Sequence, residues 1–207
     1  MRKAKLIIII LFISISVSGK NERKGLIDVL LIKNNGDTIL VQSKANYYNE
    51  HSFNSFGYYN EDGSRGRAHA DEYQKIIIRN KCFESVYLKS TVKKDCKKQV
   101  FLERIIDGPM VMYTFHYVKQ MVYTSKCIDE IYIRRRDEKC AYPIYKKLCP
   151  HEIISLTLIK QPNNKKDMLR LFEDTPSIVE KMKSGYYDRS SYETIIREYN
   201  SLMKLKN

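Results

Sequence analysis

The chain has little of what usually announces an activity. It holds only four histidines, His51, His69, His116 and His151, and none stands in His-Glu-x-x-His or another close metal-ligand spacing. No Cys-x-x-Cys occurs, which argues against a thioredoxin-type redox site and a zinc knuckle. A Gly-x-Ser-x-Gly nucleophile elbow, a phosphate-cradling glycine-rich loop and a dinucleotide fingerprint are also missing, so no cofactor is expected. Long apolar runs are absent too. The longest, Leu6 to Val17, would span about 18 Å as a helix against a hydrocarbon core of about 30 Å. The first cysteine after it is Cys82, so lipid attachment at a new N-terminal cysteine is excluded.

What is present at the start is an address. Arg2, Lys3 and Lys5 precede the apolar run, and Val17-Ser18-Gly19 closes it with small residues where a signal peptidase reads. The pattern predicts a signal peptide, residues 1–19, and a protein of the periplasm or cell envelope, or one secreted; an uncleaved anchor is the alternative. Losing the leader removes three of 37 basic residues and leaves 34 against 24 acidic ones, an excess of +10. In an exported chain such an excess points to an envelope protein, an anionic glycan or an anionic lipid surface as partner, and not to nucleic acid. The charge is dispersed, in Lys93-Lys94, Arg134-Arg135-Arg136, Lys146-Lys147 and Lys165-Lys166, the distribution of a solvated surface.

Five cysteines, Cys82, Cys96, Cys127, Cys140 and Cys149, make disulfides expected in an oxidising compartment, with one thiol left over. Spacing does not decide connectivity. Cys82 with Cys96 and Cys140 with Cys149 are the shortest loops.

The pattern predicts an α+β fold: a mainly antiparallel β region over 20–160, then about three helices over 161–207. Gly25 to Lys33 and Thr38 to Gln42 read as a hairpin around Asn34-Asn35-Gly36-Asp37, residues that tolerate positive φ. Residues 44–70 read as a long loop or a short irregular hairpin. Further strands are expected at Tyr73–Ile78, Ser85–Lys89, Val100–Ile106, Val111–Val118, Met121–Thr124, Ile131–Arg135 and Ile153–Ile159. In Val111–Val118, Tyr113, Phe115 and Tyr117 alternate with polar residues, as in a strand with one buried face. Helical period begins beyond Gln161, with a cap at Asn164 and apolar residues from Met168 to Phe172. Thr175-Pro176 supplies a capping hydroxyl and an N1 proline, and Gly185 stops that helix. Ser190 with Glu193 caps the last helix, whose Tyr192, Ile195, Ile196, Tyr199, Leu202 and Met203 form one apolar stripe.

The Gly36-Asp37-Thr38-Ile39 step, Phe101-Leu102 followed by Gly108 and Tyr113, the Pro176-started helix and the closing Glu198-Tyr199-Asn200 resemble a family of uncharacterised exported proteins of Gram-negative bacteria. The likeness runs from about Leu26 to Asn200. It implies export and a β region followed by helices, and no particular reaction. Members often carry Cys-Pro where this chain has Thr175-Pro176, so a disulfide to that helix is not carried over.

For recognition, the aromatic segment Tyr47, Tyr48, Phe53, Phe56, Tyr58 and Tyr59 offers stacking faces and hydroxyls at small entropic cost. Arg134, Arg135 and Arg136 offer charge. His51 and His69, with Glu50, Asp62 and Asp71 nearby, would make a metal site only by meeting in space. Cys149-Pro150-His151 suggests an activated thiol but lacks a flanking signature. Asp129-Glu130 and Glu173-Asp174 read as surface pairs. A porin-like barrel is disfavoured by the helical end and by charges on both strand faces. The expected function is a non-enzymatic binding module for a protein or anionic glycan; the alternative is an envelope hydrolase with a dispersed site.

Overall fold

A computed structural model describes residues 25–44, 54–89, 96–120, 125–148, 169–187 and 191–206. The fold is α+β, a mainly antiparallel sheet of ten strands followed by helices. β1 (Leu26–Lys33) and β2 (Thr38–Lys44) form the predicted hairpin, with Leu30 opposite Leu40. Gly36 turns it at φ 91°, and the Asn35 side chain accepts the Asp37 N–H at 3.0 Å. The segment left open between loop and hairpin is a hairpin where it is described, β3 (Ser55–Tyr59) with β4 (Arg65–His69). Asp62 closes it by accepting the N–H of Ser64 at 2.8 Å and its hydroxyl at 2.7 Å.

Six strands follow: β5 (Tyr73–Ile78), β6 (Lys81–Lys89), β7 (Cys96–Ile106), β8 (Met110–Gln120), β9 (Ser125–Arg135) and β10 (Cys140–Leu148). The strand order is β10-β9-β8-β7-β6-β5-β1-β2-β3-β4, and β10 also pairs in parallel with β6, Cys140 opposite Tyr87 and Ala141 opposite Leu88. The sheet therefore closes on itself. β6 to β10 form a five-stranded barrel, while residues 81–84 of β6 pair with β5 and carry an open wing of β5, β1, β2, β3 and β4.

β10 is absent from the predicted strands because Pro143 interrupts its pattern. The proline sits where the register with β9 shifts, between Pro143 and Tyr145, and a bulge needs no N–H there. The predicted strands Met121–Thr124 and Ile153–Ile159, and the caps Asn164 and Ser190, lie outside the described residues.

Alternation assigns the two faces of the sheet. Val111, Tyr113 and Phe115 fill the barrel with Val86, Val100, Leu102, Tyr132 and Ala141. The other face of β8 is also buried at its start, a departure from the expected single buried face: Met110 and Met112 join Ile133, Ile195, Ile196 and Tyr199 under the helices. A third core, with Val29, Leu31, Val41, Ile76 and Ile78, covers the same outer side of the wing.

Residues 169–171 are helical, and α1 (Pro176–Ser184) and α2 (Tyr192–Lys206) follow. Pro176 opens α1 and Gly185 ends it at φ 77°. The Thr175 hydroxyl does not cap α1, contrary to expectation. It donates to Asp174 at 3.2 Å, and only the Thr175 carbonyl receives helix amides, from Ile178 and Val179. The α2 stripe packs as predicted, with Ile195, Ile196 and Tyr199 buried and Tyr192, Leu202 and Met203 beside them. Asn200 locks α2 to the sheet: its amide donates to the Met110 carbonyl at 2.8 Å and accepts the Met110 N–H at 2.7 Å.

Candidate functional site

Directly opposed residues of paired strands share a face. Leu40, Leu30, Ile77 and Cys82 are opposed in turn across β2, β1, β5 and β6, and Arg104, Tyr113 and Tyr132 across β7, β8 and β9. The two sets meet at the mouth of the barrel. Burial pushes the Cys82 thiol pKa up, partly offset by the nearby Arg104 charge. One row thus runs from an apolar wing, where Leu40 is 49% exposed, into the barrel, where Tyr113 is fully buried.

At that mouth Glu84, alternating with Val86 on β6, points into the barrel and is buried. It accepts from Arg104 Nη1 at 2.7 Å and from the Tyr113 hydroxyl at 2.9 Å. Lys75 Nζ stands 3.6 Å from it. Arg134 Nη2 donates to the Tyr113 oxygen at 2.8 Å and lies 3.9 Å from Glu84. Burial, then the Glu84 charge, holds the Tyr113 phenol well above its ordinary pKa. Asp107 is shared by Arg104 at 3.2 Å and by Arg136. Lys75, Arg104, Arg134 and Arg136 therefore face two carboxylates, Glu84 and Asp107. The Nε of Arg134 is buried with no hydrogen-bond acceptor among the described residues.

Deeper in, Glu130 accepts from the hydroxyls of Tyr117, at 2.7 Å, and Tyr132. Both phenols are pushed up, chiefly by burial and further by Glu130. The reading of Asp129-Glu130 as a surface pair is corrected here. The two do face opposite sides, but Glu130 points into the barrel and is buried, while Asp129 meets His116 Nδ1 at 2.6 Å on the outer face.

The predicted recognition residues divide. Tyr47, Tyr48 and Phe53 lie outside the described residues. Phe56 is a core residue, because β3 turns it onto the wing. Tyr58 packs against that core, and burial raises its phenol pKa. Tyr59 carries the Arg65 guanidinium 5.7 Å from its ring centroid. The three consecutive arginines are no surface patch, because strand alternation and the following turn send them apart. Arg134 enters the barrel mouth, Arg135 pairs with Asp174 at 3.0 Å and Asp137 at 3.3 Å, and Arg136 pairs with Asp107.

Both short-loop disulfides are overturned. Cys96 is bonded to Cys140, Cα atoms 5.9 Å apart, and Cys82 is a free thiol. Cys96 lies opposite Lys89 and Cys140 opposite Tyr87, on the two flanks of β6, so barrel closure unites residues 44 apart in sequence. Cys149 lies outside the described residues. Among the described residues no cluster of three or more His, Cys, Asp or Glu is placed to hold a metal ion, and no helix is long and apolar enough to cross a membrane.

The comparisons find nothing like it. No family model, no curated protein and no solved structure matches this chain. Sequence reasoning missed Glu84, Arg104 and Glu130. The available signal was alternation, since each charged residue is in phase with barrel-facing Val86, Leu102 or Tyr132.

Proposed function

We propose that the protein is a non-enzymatic binding module of the periplasm, envelope or exterior, recognising a partner protein or an anionic glycan through the β3–β4 hairpin. The observation that carries this reading is the position of β4. It ends the strand order, and Arg65, Arg67 and His69 project from alternate positions, all exposed. An edge strand offers main-chain hydrogen bonds to an extended partner, the arginines add charge, and Tyr59 adds a stacking face. The positive charge assigned to recognition thus moves from residues 134–136 to Arg65 and Arg67.

Export rests on the charged start and short apolar run of residues 1–19, and on the resemblance to exported Gram-negative proteins. The Cys96–Cys140 bond agrees with an oxidising compartment. An envelope hydrolase draws on the His116–Asp129 pair, which lies on the outer face of β8 and β9 with His116 exposed.

The test compares Arg65→Ala combined with Arg67→Ala, and Tyr59→Ala alone, for retention on a sulfated polysaccharide resin and on immobilised envelope proteins. A glycan ligand predicts earlier salt elution of the arginine variant, since exposed charges are screened over about 8 Å at physiological ionic strength. A protein ligand predicts that Tyr59→Ala dominates. Unchanged retention of both folded variants overturns the reading.

A further inference from the structure

We infer that the row Leu40–Leu30–Ile77–Cys82, with Arg104 and Arg134 at its barrel end, binds a single-chain amphiphile bearing a carboxylate head, such as a long-chain fatty acid. This goes beyond the hairpin reading and does not rest on it. The row presents one apolar side chain per strand from β2 to β5 before reaching the Cys82 thiol, over about 14 Å at three inter-strand spacings of about 4.8 Å. One border is polar, Gln42 and Asp28 joined at 3.3 Å; the other is Thr38, Ile32 and Lys75, polar on both flanks of the single apolar Ile32. A strip of that width suits one acyl chain and not the two of a phospholipid.

The barrel end supplies the head-group chemistry. Four cations face two carboxylates there, and the Arg134 Nε–H lacks an acceptor among the described residues. A buried N–H left unpaired is unfavourable, so an acceptor at that place is favourable. Glu84 shows what the cluster recognises, since a carboxylate already receives Arg104 and the Tyr113 hydroxyl there. Arg104 and Arg134 keep 24% and 21% of their side chains exposed, so the two guanidinium-bearing side chains border solvent, and a second carboxylate that reaches the buried Arg134 Nε displaces its neighbours slightly. Guanidinium forks suit it, because they pair with carboxylates through two parallel hydrogen bonds.

Cys82 lies on the row between tail and head and reports occupancy. Alkylation of Cys82 by iodoacetamide, followed peptide by peptide in the purified protein, is measured with monomeric dodecanoate, dodecanol, butyrate and anionic phospholipid vesicles. At about ten times its Kd, dodecanoate is expected to slow the reaction about tenfold. Butyrate is expected to leave it unchanged and dodecanol to protect less. Leu40→Gln, at an exposed position that spares the fold, and Arg104→Gln are each expected to weaken protection. An unchanged rate, equal protection by dodecanol, protection by vesicles alone, or full protection retained in Leu40→Gln overturns the inference. None of these outcomes touches the hairpin, so the two proposals fail separately.

Discussion

Asn200 joins the last helix to the sheet with both ends of its amide, and it stands 90 residues from its partner Met110. Its neighbour Gly108, at φ 154°, has no room for a side chain, because a Cβ there would come within 2.6 Å of the Asn200 amide. Met110 is fully buried, so removing the amide strands a donor and an acceptor together. Asn200→Ala is expected to cost about 2–6 kcal/mol, since each of the two stranded groups costs about 1–3, and denaturant unfolding measures it. Gly108→Ala damages the same joint from the sheet side, so the double variant should lose less than the sum of the two. Tyr199, next to Asn200, donates to Asp174 at 2.9 Å, and Glu198 accepts from Lys181 and Tyr187, each at 2.6 Å. The Glu198-Tyr199-Asn200 run thus carries three joints between α2 and the rest of the molecule.

At the scale of the element, α2 shows which face of a helix does the work. Ile196 is buried in the centre of the stripe, so Ile196→Asp places an unpaired charge in the core. It is expected to cost several kcal/mol of a total of about 5–15, seen as a collapse of the thermal transition. Glu198 makes the α1–α2 joint pH-dependent. Hydrogen bonds from Lys181, then from Tyr187, hold its carboxyl below the ordinary range. A carboxyl with a lowered folded-state pKa contributes stability above its unfolded value and loses it as pH falls through the folded one. Acid should therefore weaken the joint, and Glu198→Gln should reduce that acid sensitivity at the cost of stability near neutral pH. Stability curves between neutral and acid pH for the two proteins decide it.

For the whole molecule, barrel closure is the main structural event, and the Cys96–Cys140 bond crosses the end of β6 to hold it. In the chain-entropy account a loop of 44 residues is worth about 4 kcal/mol, mainly through the unfolded chain. Cys96→Ser is expected to lower stability by about 2–4 kcal/mol, and reducing agent should lower the wild type but leave the variant unchanged. Closure joins β10 to β6 at Cys140 and Ala141, and β4 ends the strand order at the far side of the wing. A recognition surface built on strand addition has a place at β4.

Local signals determined the elements with a short-range cause: the Asn35-Gly36 turn, the Pro176 start and Gly185 stop of α1, the α2 stripe, and the alternation of Tyr113, Phe115 and Tyr117. Each depends on backbone preference or on periodicity within one segment, and both are written in neighbouring residues. Only the tertiary structure decided that β10 returns to β6, that Cys96 meets Cys140, that Glu84 and Glu130 are buried, and that Arg134, Arg135 and Arg136 have different carboxylate partners. Those outcomes depend on the register between strands far apart in the chain. A charged residue in phase with a barrel interior looks, in sequence alone, the same as one on a solvated face. The physical difference is the partner across the sheet, and that partner exists only once the barrel has closed.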